Sequence, residues 1–160
     1  MKNFFALGAL AALCQTAFGL EEGTYKIASA SLEANRVLSY EVPSSPVILS
    51  PSFGIPSQTW AFESDPNEDG TDEGGFLIHS AVGGYLNCGG SLGNSCKVGD
   101  KREVYTVELV GDNTYQILAG TRYSLSVSGD FVQLAAHDTS PEHQFVLTPT
   151  KGKSLYPTIP

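Results

Sequence analysis

Basic residues are scarce in this 160-residue chain, which has nine Lys and Arg against seventeen Asp and Glu and a formal net charge of −8. Nucleic-acid binding requires clustered Lys and Arg that neutralise phosphates, so we expect no nucleic-acid partner. The same balance disfavours an anionic membrane surface. Long apolar runs are also missing beyond residue 13, and about 20 apolar residues are needed to cross a bilayer. We therefore expect no membrane insertion.

The first nineteen residues have the layout of a secretory signal peptide. Lys2 precedes an apolar run over residues 4–13, and Ala17 and Gly19 supply small residues at the −3 and −1 positions. We expect cleavage after Gly19, which makes the mature protein secreted and extracellular. Because Lys2 is removed with this segment, the mature charge becomes −9, from 8 basic and 17 acidic residues.

Cysteine is rare, with three in the chain. Cys14 lies in the predicted signal peptide, so Cys88 and Cys96 alone enter the oxidising compartment, where a disulfide is their natural pairing. The Gly-rich segment between them is typical of a hairpin tip. A disulfide over so short a loop adds little loop-closure stabilisation, so we expect a local clamp. The alternative use of this pair, a metal site, lacks further ligands nearby.

Sustained helical spacing of apolar residues is missing from the mature chain, and short alternating runs take its place. Such alternation is typical of strands with one buried face. The runs recur in the same order three times, with four in each copy, which predicts an all-β fold of twelve strands. The predicted repeats span about 21–64, 74–110 and 111–150, within one domain over residues 20–150.

Each predicted fourth strand carries one bulky aromatic residue. These are Trp60, Tyr105 and Phe145, spaced 45 and 40 residues apart. Three large rings at equivalent positions can fill the interior of a closed barrel, where each buries about 150–250 Å². We interpret all three as structural core and not as ligand-stacking platforms.

Residues 23–63 resemble one repeat of the ricin-B-type β-trefoil lectins. The resemblance is carried by the run VILSP at 47–51, which leads into QTW at 58–60 and matches that family's Q-x-W signature. The opening GTYKI at 23–27 is similar to the start of fungal members. In the second and third repeats EVY at 103–105 and HQF at 143–145 occupy the same slot. The resemblance implies a β-trefoil with pseudo-threefold symmetry over about residues 21–150.

The resemblance also implies where sugar would be bound. Family members use an Asp near the second strand, an aromatic platform after the third, and an Asn just before Q-x-W. Carried over in that order, these slots hold Ser39, Ser50 and Ser57 in repeat one. In repeat two they hold Asn87, a residue near Gly99, and Arg102. In repeat three they hold Ser126, Ala135 and Glu142. No slot keeps the Asp or the ring, so the usual sites are degenerate.

Five residues are candidates for a residual or relocated carbohydrate site. They are Ser39, Tyr85, Asn87, Ser126 and Asp130. Asn87 is the first candidate, because it is the least altered slot and Tyr85 flanks it. The alternative is that Asn87 is a turn residue next to Cys88, since Asn is common where a chain bends.

No catalytic arrangement or cofactor site is expected, and we predict that the protein is not an enzyme. Residues 89–93 match G-x-S-x-G, but no helix follows to form a nucleophile elbow. The acidic segment 65–73 begins like a calcium loop, with Asp65, Asn67 and Asp69 as candidate ligands, yet Phe76 stands where the loop's final Glu belongs. A solvated acidic linker is our preferred interpretation of that segment.

Carbohydrate binding, with a glycan or glycoprotein as partner, is the leading functional hypothesis, and it depends on the resemblance. The alternative is a secreted trefoil that inhibits a proteinase or binds a host protein through exposed loops. The loops at 50–57 and 65–74 are candidates for that role. Residues 151–160 are predicted to form a flexible tail.

Overall fold

The computed structural model describes residues 20–32, 35–42, 44–65 and 75–150. Within these ranges, twelve strands follow one another, and two short 3₁₀ turns lie over Pro56–Gln58 and Pro141–His143. The strands are β1 (Gly23–Ser29), β2 (Arg36–Ser39), β3 (Ile48–Pro51), β4 (Trp60–Ser64), β5 (Gly75–Ser80), β6 (Tyr85–Asn87), β7 (Lys97–Gly99), β8 (Val104–Gly111), β9 (Thr114–Ala119), β10 (Tyr123–Ser128), β11 (Phe131–Ala136) and β12 (Phe145–Pro149). The predicted all-β class is confirmed.

The first and fourth strands of the three repeats form a closed barrel. Antiparallel pairing runs from β1 to β4, β5, β8, β9 and β12 and then back to β1. Closure satisfies the backbone groups along these strands and leaves few open edges.

The second and third strands form three hairpins, β2–β3, β6–β7 and β10–β11. Backbone hydrogen bonds join them to one another: Val47 N–H donates to the Cys96 carbonyl and Cys96 N–H to that of Val132, both at 2.8 Å. A six-stranded barrel capped by three mutually bonded hairpins is a β-trefoil with pseudo-threefold symmetry, so the predicted fold is confirmed.

The barrel register places one aromatic pair in each repeat. Tyr25 lies opposite Trp60, Phe76 opposite Tyr105, and Tyr115 opposite Phe145. Trp60, Tyr105 and Phe145 are at most 1% exposed and belong to a single hydrophobic cluster. Their burial excludes them from any surface site in this structure.

The disulfide between Cys88 and Cys96 is present, and both residues are buried. Cys88 directly follows β6 and Cys96 directly precedes β7, so the bond closes the base of the β6–β7 loop. Three predictions lie outside the described residues: the signal peptide over 1–19, the tail over 151–160, and nearly all of the acidic segment, of which only Asp65 is described.

Candidate functional site

The Gln of the Q-x-W signature has a structural role in repeat one. Gln58 is fully buried, and its Nε2 lies 2.9 Å from Ser39 Oγ, 3.1 Å from Ser50 Oγ and 2.7 Å from the Pro51 carbonyl. Its Oε1 accepts the Phe53 backbone N–H at 2.8 Å. The amide therefore fixes β2, β3 and the loop after β3 together.

This network uses the polar groups that the sequence places in the first sugar slot. Ser39 is 3% exposed, and its hydroxyl lies 2.6 Å from that of Ser50 as well as bonding Gln58. A hydroxyl that is buried and already hydrogen-bonded has little to gain from a sugar. The structure thus places the candidate Ser39 inside the protein.

Glu103 occupies the equivalent slot in repeat two. Its carboxylate accepts the Cys88 backbone N–H at 3.0 Å and the Tyr105 hydroxyl proton. Burial, followed by the hydrogen bond to the Glu103 carboxylate, raises the pKa of the Tyr105 hydroxyl well above its ordinary value. Tyr105 therefore stays neutral and serves to hold this turn in place.

His143 occupies the third slot, where its Nδ1 lies 2.6 Å from the buried Ser124 hydroxyl. Only 6% of His143 is exposed, and burial lowers the pKa of its imidazole, although the carboxylate of Asp138 acts in the opposite direction. Gln58, Glu103 and His143 thus perform one task, tying the fourth strand of a repeat to its hairpin, with three different chemical groups.

Acid should weaken the fold through His143. Because the folded protein disfavours the imidazolium, the unfolded chain takes up this proton first as the pH falls below about 6.5. The free energy of unfolding should therefore be lower at pH 5.5 than at pH 7.5, as measured by urea titration. The substitution His143→Gln should reduce this difference in unfolding free energy between the two pH values. The matched substitution His137→Gln, at an exposed histidine, should keep most of the difference. An undiminished difference in His143→Gln would contradict this assignment.

The repeat-three candidates are also poorly placed for a ligand. Ser126 is buried in β10 at 7% exposure. Asp130 is exposed, but its Oδ1 forms an ion pair at 2.8 Å with Arg36 of repeat one. Because Arg36 lies in β2, the pair ties the β10–β11 turn to that strand. The same Arg36 nitrogen also donates to the Leu49 carbonyl of β3 at 2.9 Å.

Asn87 lines an open depression of 480 Å³, here called the repeat-two pocket. It lies beside the β6–β7 hairpin and is lined by Ser44, Asn87, Cys88, Gly89, Asn94, Ser95, Lys97, Val98, Gly99, Asp100 and Lys101. Its volume falls in the range of about 300–1,000 Å³ typical of ligand sites. Of the candidate residues, only Asn87 lines it.

The Asn87 side chain combines a turn role with a free donor. Its Oδ1 accepts the Gly89 N–H at 3.0 Å, which is the turn arrangement considered above. Within the described residues, its Nδ2 makes no hydrogen bond, so this N–H₂ group remains available in the pocket. The two interpretations of Asn87 are therefore compatible.

Tyr85 lies on the same outward strand face as Asn87, but its ring is partly covered. The Arg102 guanidinium carbon lies 5.2 Å from the ring centroid, and the His79 ring packs edge-on at 5.7 Å. A stacking platform needs a free ring face, and one face of Tyr85 has a cation over it. Tyr85 does not line the repeat-two pocket.

Sequence reasoning missed most of the pocket's polar lining. Ser44, Asn94, Lys97, Asp100 and Lys101 were not candidates, because they match no slot of the lectin pattern. One signal was available: Lys97, Lys101 and Arg102 cluster within six positions of an acidic chain. Ser44 carried no signal, since it reaches the pocket from another repeat.

The described residues contain no group of three or more His, Cys, Asp and Glu side chains able to hold a metal ion. Asn67 and Asp69 lie outside those residues, so the calcium hypothesis stays a prediction. Ser91 of the G-x-S-x-G match is exposed at a hairpin tip. In the same part of the chain, no helix has the length and apolar character to cross a membrane.

Comparison with solved structures supports the fold. The ricin B-like lectin of Macrolepiota procera, solved with lactose, is 20% identical, with a TM-score of 0.68 over 82% of this chain and 99% of its own. The designed threefold-symmetric protein ThreeFoil is 18% identical, with a TM-score of 0.66 over 80% and 99%. At these identities the similarity establishes the β-trefoil fold alone.

A proteinase inhibitor shares this fold with the lectin. A proteinase inhibitor from Coprinopsis cinerea is 15% identical, with a TM-score of 0.62 over 82% of this chain and 99% of its own. No protein-family model and no curated protein matches the chain. The fold class is therefore fixed, and function has to be argued from the surface.

Proposed function

We propose that this chain is a secreted, non-enzymatic β-trefoil module of the ricin-B type that binds carbohydrate through its repeat-two pocket. The observation that supports the proposal best is the pocket itself, which Asn87, with its free Nδ2, lines together with Asn94 and Asp100. Sugars are recognised by amide and carboxylate groups that hydrogen-bond several hydroxyls in fixed geometry. The lactose-bound neighbour supports this use of the scaffold.

The pocket's floor is built firmly enough to bind in this way. The Cys88–Cys96 bond closes the hairpin, and Glu103 holds the Cys88 N–H from the inside. Gly89, at φ 73°, lets Asn94 fold back over the turn, since a Cβ there would lie 2.7 Å from Asn94 Nδ2. Preorganised groups lose less entropy on binding, which compensates for a shallow site.

A glycan array with the oxidised mature protein tests the proposal, and Asn87 variants locate the site. Asn87→Asp keeps the acceptor for the Gly89 N–H but removes the Nδ2 donor, so binding should fall about fivefold or more while stability is retained. Asn87→Ala should weaken binding similarly. The exposed Asn35→Ala change in repeat one is the matched control and should leave binding unchanged. An array without signal above background would contradict the proposal.

A second candidate function is supported by the loop predicted at residues 50–57, which in the structure begins after β3 ends at Pro51. Phe53 is 67% exposed and Ile55 is 43% exposed, while Gln58 holds the Phe53 N–H and the Pro51 carbonyl from the inside. An ordered loop that presents two apolar side chains suits binding to a proteinase or another protein. The inhibitor neighbour supports this use of the fold.

The Phe53 N–H is already bonded to Gln58, so the exposed Phe53 and Ile55 side chains are the groups that this loop offers to a partner. An inhibition screen against serine, cysteine and aspartic proteinases, with Phe53→Ala as the loop variant, tests the idea. Inhibition by the mature protein that Phe53→Ala abolishes would support it, and no inhibition in any class would reject proteinases as targets.

A further inference from the structure

Positive charge is concentrated beside the repeat-two pocket. Residues 20–150 contain six Lys and Arg, and three of them, Lys97, Lys101 and Arg102, fall within six consecutive positions. The whole chain has a net charge of −8, so this segment opposes the general trend. Local charge of one sign in a concave site attracts ligands of the opposite sign.

The strand register directs Lys97 toward the pocket. Leu86 and Val98 lie opposite each other and are buried, so their neighbours on the two strands face outward. Asn87 and Lys97 are the next opposed pair, which sets an amide donor beside an ammonium group on one face. Both residues line the pocket.

The acidic groups nearby compensate only part of this positive charge. Glu103 is turned inward, where it accepts the Cys88 N–H and the Tyr105 hydroxyl proton, and its other oxygen is 3.8 Å from Lys101 Nζ. Within the described residues, Lys97 makes no ion pair. Asp100 is the one acidic side chain that lines the pocket.

Residues of two repeats line the pocket, so it differs from a sugar site that is built within one repeat. Ser44, in the β2–β3 loop of repeat one, forms part of its wall and has a left-handed backbone with φ 69°. Pro46 forms a β-bridge with Lys97, and Val47 bonds the Cys96 carbonyl, so this loop is tied to the β6–β7 hairpin.

We propose that the ligand of the repeat-two pocket is an acidic saccharide, with its carboxylate or sulfate at Lys97 and Lys101 and its hydroxyls at Asn87 and Asp100. This inference rests on the proposed carbohydrate binding. The ammonium groups supply charge-assisted hydrogen bonds to the anion. Asp100 accepts hydrogen bonds from ring hydroxyls and disfavours an anion placed at its end of the pocket.

The test compares neutral, carboxylated and sulfated glycans of matched size on the oxidised mature protein. We expect acidic glycans to bind more tightly, with an association constant that falls as salt rises. Lys97→Gln combined with Lys101→Gln should lower the affinity for acidic glycans about tenfold and leave that for neutral glycans within about twofold. Lys26→Gln combined with Arg122→Gln, the same change in charge elsewhere, is the control. Circular dichroism melting verifies folding of both variants.

The possible failures are distinguishable. If neutral glycans bind as well as acidic ones, and Asn87→Asp weakens both while the double Lys variant weakens neither, the acidic preference is wrong and carbohydrate binding stands. If the control variant loses as much affinity as the double Lys variant, the effect is one of overall charge and the inference is also wrong. If no saccharide binds, both the proposed function and this inference are overturned.

Discussion

Replacing Trp60 by alanine should lower the free energy of unfolding by about 3–5 kcal/mol, the usual cost of removing a fully buried aromatic side chain. Trp60 has no exposed surface, belongs to the barrel core, and donates its Nε1–H to the Leu38 carbonyl at 3.1 Å. The variant loses that packing and leaves the Leu38 carbonyl without its partner. Urea titration of the mature protein measures the change.

Trp60→Phe separates the two contributions. Phenylalanine retains a ring at the barrel position, as Phe145 does in repeat three, but cannot donate to the Leu38 carbonyl. Trp60→Phe should therefore lower the free energy of unfolding by about half as much as Trp60→Ala, or less. A surface replacement such as Phe53→Ala should change stability by less than about 1 kcal/mol, because Phe53 is mostly exposed. If Trp60→Ala were equally mild, the ring would not hold the barrel together.

Gln58→Ala should have the next largest effect, about 2–4 kcal/mol. The side chain bonds the Phe53 N–H, the Pro51 carbonyl and the hydroxyls of Ser39 and Ser50, all at 3.1 Å or less. Each buried polar group that loses its partner costs about 1–3 kcal/mol, reduced where water can enter or the two hydroxyls bond each other. Thermal and urea unfolding measure the loss.

A local measurement distinguishes loosening of the loop from general destabilisation. Without the Gln58 side chain, this segment loses the hydrogen bonds to the Phe53 N–H and to the Pro51 carbonyl. Chymotrypsin should therefore cleave after Phe53 much faster in the variant. Gln144→Ala is the matched control, because within the described residues the Gln144 side chain makes one hydrogen bond, to the exposed Thr139 carbonyl at 2.9 Å. Equal cleavage rates in the two variants would show that Gln58 does not order the loop.

The strand pattern was predictable because it depends on local regularities. Alternation marks each strand, and a bulky aromatic residue recurs at the first or second position of the fourth strand in every repeat, so the number and order of the strands follow the predicted repeat. The run VILSP at 47–51, for example, contains the third strand, Ile48–Pro51. Where each strand ends depends on pairing partners that the local sequence does not encode.

The site was less predictable, because availability for a ligand depends on distant contacts. Ser39 and Asp130 have suitable chemistry, but one is bonded to Gln58 and the other to Arg36, ninety-four residues away in sequence. Of the five candidate residues, Asn87 alone reached the pocket. Glu103 and His143 differ from the Gln of the Q-x-W signature in sequence, yet both side chains bond their own hairpins as Gln58 does.

By itself, the sequence determined the β class, the threefold repetition and the cysteine pairing, because period-two patterns, repeat spacing and two cysteines only eight positions apart are properties of neighbouring residues. The tertiary structure decided which polar groups are already satisfied and where an open, positively charged pocket lies. Part of the wall of that pocket comes from the β2–β3 loop, which packs against the β6–β7 hairpin in a contact between repeats that no single repeat contains.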